Sequence, residues 1–248
     1  MRKLFVIGIG AGDPDYLTLQ AVKTIAACDV FVVPDKGEEK TDLKAARLVM
    51  IARHARADHR IVDIAIPARE RVPADYRATV GDWHARIADA YATALRSIDE
   101  TQTIGLLVWG DPSLYDSTLR ILDTLRACGF AFDLTVLPGI TALQALCARH
   151  GIPLNTIGEA LVVTTGRKLG LHMPSDASVV AVMLDGEQAF TRMSDDVDIF
   201  WGAYLGTADE ILLAGRLSEV KNDILHTRAH ARSRKGWIMD TYLLRKGA

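Results

Sequence analysis

Five short apolar runs, each followed by a stretch of helical periodicity, fill the first 150 residues, and this alternation limits the chain to few folds. "LFVIGI" at 4–9, "DVFVV" at 29–33, "RIVDIAI" at 60–66, "TIGLLVWG" at 103–110 and "FDLTVL" at 132–137 read as strands. Helices are predicted near 18–28, 42–55, 75–99, 115–128 and 141–150. Strand then helix, repeated, is the signature of βαβ units around a mostly parallel sheet with helices on both faces. In the longest helix, Trp83, Ile87, Tyr91, Leu95 and Ile98 form one stripe, which reads as a core face. Gly129 and Gly151 stand where helices should end, as left-handed caps.

After "RHGIPLN" the texture changes. "EALVVTT", "ASVVAVML", "DIFWGAYL", "LLAGRLSEV" and "GWIMDTYLL" supply strands, with only one or two short helices between them. That pattern predicts a second α/β domain with a mixed sheet. At 248 residues the chain is long enough for two domains, expected at 1–151 and 158–248.

Composition excludes several classes. With 29 Lys+Arg against 31 Asp+Glu there is no global basic field to draw in a nucleic acid. No apolar run approaches the ~18 residues that a membrane helix needs. The start, "MRKLFVIGIGAG", has the basic and apolar parts of a leader, but three glycines and Asp13-Pro14-Asp15 follow without a small-residue cleavage site. A first buried strand and a cytoplasmic protein are the expectation. Cys28, Cys128 and Cys147 lie in apolar helical contexts with no C-x-x-C, which predicts buried, reduced thiols.

The loops after strands are where an open α/β sheet binds ligands. "GIGAGDP", which follows the first strand, looks like a dinucleotide fingerprint, with Gly8 and Gly10 in place. The third glycine is replaced by Asp13, whose carboxylate would repel a pyrophosphate. No acidic ribose-binding residue clearly ends the second strand, which also disfavours a nucleotide-dependent oxidoreductase or sensor. "WGDPSLYDST" after the fourth strand and "PGITALQA" after the fifth pair glycine with proline again. Each loop alone is a common turn, and Thr141 is a good helix N-cap; three on one edge point to a ligand.

Metal and hydrolase chemistry find no support. His226 and His230 are spaced i, i+4 but lack a companion Glu or third ligand, and they read as exposed helix residues. His150 reads as a last-turn residue facing the helix dipole. There is no G-x-S-x-G and no P-loop, and no metal is expected.

The three loops resemble those of the tetrapyrrole methylases, the class III methyltransferases that use S-adenosyl-L-methionine. That family runs from G-x-G-P-G-D-P through G-G-D-P to P-G-x-[ST]-A. Here the same order reads Gly8-Ile9-Gly10-Ala11-Gly12-Asp13-Pro14, Trp109-Gly110-Asp111-Pro112 and Pro138-Gly139-Ile140-Thr141-Ala142. Ala11 and Trp109 depart from the family's residues at those positions. Within the family, "VVPDKGEEKTDL", "PARERVPADYRATVGDWHARI" and "GDPSLYDSTLRILDTL" single out one branch.

The resemblance implies a cofactor in a cleft between two α/β domains, bound mostly through backbone. Its matching positions are Ala11, Trp109, Gly110, Asp111, Leu114, Tyr115, Thr141 and Ala142, with Met183, Tyr204 and Leu205 from the second domain. It also implies a small-molecule precorrin acceptor, S-adenosylhomocysteine as product, a homodimer, and Asp35 at the end of the second strand as a catalytic proton-transfer residue; on the residues alone Asp35 also reads as a turn or N-cap aspartate. A precorrin carries many acetate and propionate groups, so its site should supply cations, arginine best of all. The stretch 36–96 holds a dozen Lys and Arg, among them Lys36, Lys40, Arg47, Arg53, Arg69 and Arg71. Most read as a solvated helical face balanced by Glu38, Glu39 and Asp42. Lys36, Arg69 and Arg71 follow strands and are the candidate substrate ligands. Other precorrin positions, a protein or ribosomal RNA remain open as acceptors, RNA being disfavoured by the charge balance.

Overall fold

The computed structural model describes residues 1–35, 41–67, 76–194 and 196–246. The chain divides into two compact units, Met1–Ile140 and Thr141–Ala248.

The first unit alternates strand and helix: β1 (Arg2–Gly8), α1 (Leu19–Ala27), β2 (Val30–Asp35), α2 (Thr41–His54), β3 (Arg60–Ala65), α3 (Tyr76–Arg96), β4 (Thr103–Val108), α4 (Thr118–Ala127) and β5 (Phe132–Leu137). The five strands form one sheet in the order β3-β2-β4-β1-β5, and every pairing is parallel. All five carboxyl ends therefore lie on one edge, the edge at which such sheets bind ligands. β1, β2 and β4 are buried on both faces, which explains their unbroken apolar runs. One core contains Val30, Val32, Leu106 and the α3 stripe of Ile87, Tyr91, Leu95 and Ile98, with Trp83 packed against it; the opposite face has its own core around Ile7, Ile25, Phe31 and Met50. The fourth helix begins at Thr118, later than the predicted 115, because the preceding loop turns through a left-handed residue at Tyr115.

The second unit comprises α5 (Ala142–His150), β6 (Ala160–Thr165), β7 (Ala177–Met183), β8 (Val197–Ala203), β9 (Ile211–Arg216), α6 (Leu217–Lys235) and β10 (Asp240–Lys246). Its sheet is ordered β6-β7-β10-β8-β9 and is mixed: β6 and β7 pair parallel, the other pairs antiparallel. α5 packs against β8, β9 and β10. The division into units thus precedes α5, whereas the sequence pattern placed the change of texture after it. His150 pins this helix down, its Nε2 lying 3.1 Å from the Trp201 carbonyl and its ring edge-on to Phe200.

Two expectations need correction. α6 is a 19-residue helix, not a short one. Its buried stripe is Leu217, Ile224, Arg228 and Ala231, and a guanidinium occupying an apolar slot hides the periodicity. Arg228 is tolerated there because Asp240 pairs with it at 2.8 Å, both side chains 4% exposed, while Trp201 Nε1 donates to the same carboxylate at 3.0 Å. Cys128 is exposed, since it lies beyond the last turn of α4; Cys28 and Cys147 are buried. Burial, with a smaller contribution from Asp29, pushes the Cys28 thiol up to about 12. Gly129 and Gly151 do take the left-handed conformation expected of caps.

Candidate active site

The carboxyl edge of the first sheet gathers the ends of β1, β4 and β5 into a single backbone knot. Gly10 and Gly110 bridge, the Gly110 amide donating to the Gly10 carbonyl at 2.8 Å and the Gly110 carbonyl accepting from the Gly10 amide at 3.3 Å. A Cβ on Gly8 would sit 2.5 Å from the Gly139 nitrogen, and one on Gly139 would collide with the Gly110 carbonyl oxygen. Only glycine permits these two approaches. Gly110 is different: its φ is +71°, and a Cβ there would meet no protein atom within 4 Å. That is a cradle open to a ligand atom, set in backbone rather than in side chains.

Asp111 holds the knot. Its Oδ2 accepts from the Gly139 amide at 2.9 Å, while Oδ1 accepts from the Ser113 amide at 2.8 Å and from the Ser113 hydroxyl. Burial works against its charge, yet the bonds from the Ser113 side chain and the Gly139 and Ser113 amides hold its carboxyl below the ordinary range. The side chain is thus spent on the protein, so a ligand contact at Asp111 falls to backbone. Asp13 has a similar bland role: its carboxylate accepts from the Asp15 amide and starts the short turn Pro14–Tyr16.

The remaining candidates of this unit sit around the knot. Ala11 is buried, Trp109 and Leu114 are half-buried, and Tyr115 is exposed with φ of +52°, an unfavourable conformation for a tyrosine. Asp35 ends β2 on the same edge, opposite Ala65 in the register, so an acid does close the second strand, contrary to the expectation that none is clearly placed there. Lys44, from α2, donates to Asp35 at 2.8 Å and to Asp63 of β3 at the same distance. Bonds to Asp35 and then Asp63 raise the Lys44 ammonium above its ordinary value, so it stays charged beside the candidate catalytic carboxylate. Sequence gave no hint of Lys44, which is nine residues from Asp35 and aligned with it only by the return of α2 along the sheet. Lys36, Arg69 and Arg71 lie outside the described residues. Arg53 is a solvated cation as expected, paired with Asp15 at 3.2 Å; Arg47 is not, being 9% exposed.

In the second unit, Thr141 caps α5 in a full capping box, with the Gln144 amide donating to its hydroxyl at 3.3 Å and the Thr141 amide donating to Gln144 Oε1 at 2.8 Å. Ala142 follows, half-buried. Met183 and the Tyr204–Leu205 pair, remote in sequence, share one sheet edge because Thr241 of β10 stands opposite Met183 on one side and Gly202 on the other. Backbone at this edge also departs from the ordinary: Leu184 has φ of +53° and Tyr204 of +50°. Tyr204 is buried, and its hydroxyl donates to the Trp237 carbonyl at 2.6 Å. Its burial raises the phenol pKa. Leu205 is buried as well, so both offer a ligand backbone rather than side chains.

The donor set fits S-adenosyl-L-methionine, which carries a sulfonium and no phosphate: glycine backbone, an open cradle at Gly110, and carboxylates at Asp13 and Asp111 where a pyrophosphate would be repelled. Among the described residues no group of three His, Cys, Asp or Glu is placed to hold a metal ion, and His226 and His230 are exposed on α6. No described helix is long and apolar enough to cross a membrane.

Residues 3–221 match the family model for tetrapyrrole (corrin/porphyrin) methylases. The chain is 51% identical over 254 residues to precorrin-6A synthase [deacetylating] of a Sinorhizobium species, covering 100% of this chain and 97% of that one. A crystal structure of a putative cobalamin synthesis related protein (CobF) from Corynebacterium diphtheriae superposes with a TM-score of 0.86 at 39% identity, covering 99% of both chains. Uroporphyrin-III C-methyl transferase from Thermus thermophilus, solved with S-adenyl homocysteine, shares the fold at a TM-score of 0.58 and 17% identity, covering 98% of this chain and 92% of that one.

Proposed function

Because the chain belongs to the tetrapyrrole methylases, we propose that it is an S-adenosyl-L-methionine-dependent C-methyltransferase of cobalamin biosynthesis, converting precorrin-5 to precorrin-6A by methylation at C-1 with release of acetate. The full-length 51% identity to the Sinorhizobium enzyme carries this reading. The same reading includes a homodimer in the cytoplasm that needs neither metal nor nucleic acid.

Bound cofactor supplies the methyl group from its sulfonium. The protein's task is then to hold donor and acceptor in line, which can supply most of the acceleration of a displacement. Backbone at Ala11, Trp109–Asp111, Leu114–Tyr115, Thr141–Ala142, Met183 and Tyr204–Leu205 is assigned to the cofactor. Asp35 is assigned the proton that must leave the methylated ring and the water that attacks the acetyl carbonyl, with Lys44 holding the carboxylate in place. A base in reach contributes on the order of 10²–10⁴-fold. Lys36, Arg69 and Arg71 are assigned to substrate carboxylates, each charge-assisted bond contributing roughly 1.5–3 kcal/mol.

The test is turnover of the purified chain with S-adenosyl-L-methionine and precorrin-5, scoring methylated product and acetate separately, beside calorimetric titrations with S-adenosylhomocysteine and NAD. Both products and binding of S-adenosylhomocysteine are expected. Methylated product without acetate would transfer the chain to another precorrin position, and binding of NAD alone would overturn the assignment.

A further inference from the structure

Below the carboxyl ends of β2 and β4, beside the start of α4, lies a cavity of about 50 Å³. Its wall includes Ile66, Trp83, Tyr91, Asp116, Thr118 and the side chain of Arg47. Arg47 reaches there from α2. Its Nε donates to the Leu107 carbonyl at 2.9 Å and its Nη1 to the Leu43 carbonyl at 2.8 Å. These bonds use two of the five donors of a guanidinium. Among the described residues no carboxylate forms an ion pair with it. Asp116, the acid in the cavity wall, accepts from the Thr118 amide at 2.7 Å instead.

A charge this deeply buried costs several kcal/mol unless something compensates it. Two carbonyls satisfy donors without neutralising charge, and burial lowers the pKa of Arg47 even though Tyr91 and the Asp116 carboxylate act in the opposite direction. The volume is decisive for what could neutralise it. At ~30 Å³ of liquid volume per water the cavity holds roughly one or two water-sized groups, about the size of a carboxylate head. Trp83, Ile66 and the Tyr91 ring suit the methylene behind such a head, and the free fork of a guanidinium suits the carboxylate. The cavity also adjoins Pro34, next to Asp35, and lies one residue beyond Tyr115 in the second loop.

We infer that Arg47 and this cavity receive one acetate or propionate arm of the acceptor, fixing the ring against the edge that carries Asp35. The inference rests on the tetrapyrrole reading above and sharpens it: a buried arginine selects a particular arm, where surface cations would attract any of them.

The experiment uses the full chain with Arg47→Lys and Arg47→Gln. Sodium propionate is expected to raise the melting temperature of the wild type saturably above an equal concentration of sodium chloride, and to have no such effect on Arg47→Gln. The KM for the tetrapyrrole should rise roughly 10–100-fold in Arg47→Gln, the loss of one charge-assisted bond, while the Kd of S-adenosylhomocysteine moves less than about twofold. Unchanged KM in both variants, or a propionate response in the wild type no larger than that to chloride, overturns the inference. Should Arg47→Gln fail to fold, the wild-type titration and the Lys variant decide it. A wild type that binds neither S-adenosylhomocysteine nor tetrapyrrole refutes the function, and an Arg47-dependent propionate response would then still support the cavity as a carboxylate receptor.

Discussion

Replacing Asp111 by Asn separates a loop clamp from a cofactor ligand. The carboxylate accepts one bond from Gly139, across the knot, and two from Ser113 within its own loop. Asparagine retains one oxygen, which can still serve Ser113, but turns an amide donor toward the Gly139 N–H. One charge-assisted bond is lost, costing roughly 1.5–3 kcal/mol. For a chain of this length, at about 2–4 °C per kcal/mol, the melting temperature should fall by roughly 3–12 °C at pH 7. The pH dependence has a definite sign. The carboxyl of Asp111 is held below its ordinary value of 3.8, so its stabilisation is present above that value and disappears as the pH falls through the folded one. The gap between wild type and Asp111→Asn, followed by calorimetry, should therefore close below about pH 4. Affinity for S-adenosylhomocysteine should weaken only as far as the loops loosen, and Ser113→Ala should weaken it in the same direction by less. An unchanged melting temperature together with abolished S-adenosylhomocysteine binding would refute the clamp and make Asp111 a direct ligand.

Asp35→Asn should lose methyl transfer, acetate release or both by about 10²–10⁴-fold while binding S-adenosylhomocysteine normally, and wild-type rates for both products would return Asp35 to a turn residue. Lys44→Met removes the cation shared by Asp35 and Asp63; it should lower kcat more than it raises the acceptor KM, read from steady-state kinetics over pH. Gly139→Ala should destabilise by at least about 1–3 kcal/mol, since its methyl collides with backbone that cannot rotate away, whereas Gly110→Ala meets open space and should cost only the roughly 1–2 kcal/mol of its left-handed conformation while weakening S-adenosylhomocysteine binding strongly. Arg228→Met should cost about 3–5 kcal/mol by leaving Asp240 buried and unpaired, and Asp240→Asn in the same chain should recover part of that loss in urea denaturation.

The first unit was legible because its signals are local. Buried parallel strands read as apolar runs, and glycines pressed against backbone read as G-x-G and P-G, so β1, β4, β5 and their loops stand out from neighbouring residues alone. α6 was hidden because Arg228, whose charge is answered by Asp240 twelve residues later, occupies a position that a periodicity scan expects to be apolar. Cys128 was misplaced for a related reason: helical context fixes which face a residue is on only within the helix, and Cys128 lies past its end.

The site itself was legible in type and not in role. Asp111 was recognisable as part of a loop motif, but only geometry shows its oxygens spent on Ser113 and Gly139. Tyr204 likewise was found at its place in a motif, and its hydroxyl turns out to be committed to the Trp237 carbonyl. The cations were sorted least well. Arg47 and Arg53 are six residues apart on one helix and look alike in sequence, yet Arg53 meets Asp15 in solvent while Arg47 is buried against two carbonyls. What separates them is where the carboxyl edge of the sheet passes beneath α2, a property of the assembled β2-β4 pairing. For a ligand made mostly of carboxylates that difference is functional: an exposed arginine adds attraction screened by salt, and a buried one adds a geometric demand that salt hardly weakens. The part of the acceptor KM that Arg47→Gln removes should accordingly be nearly flat in salt.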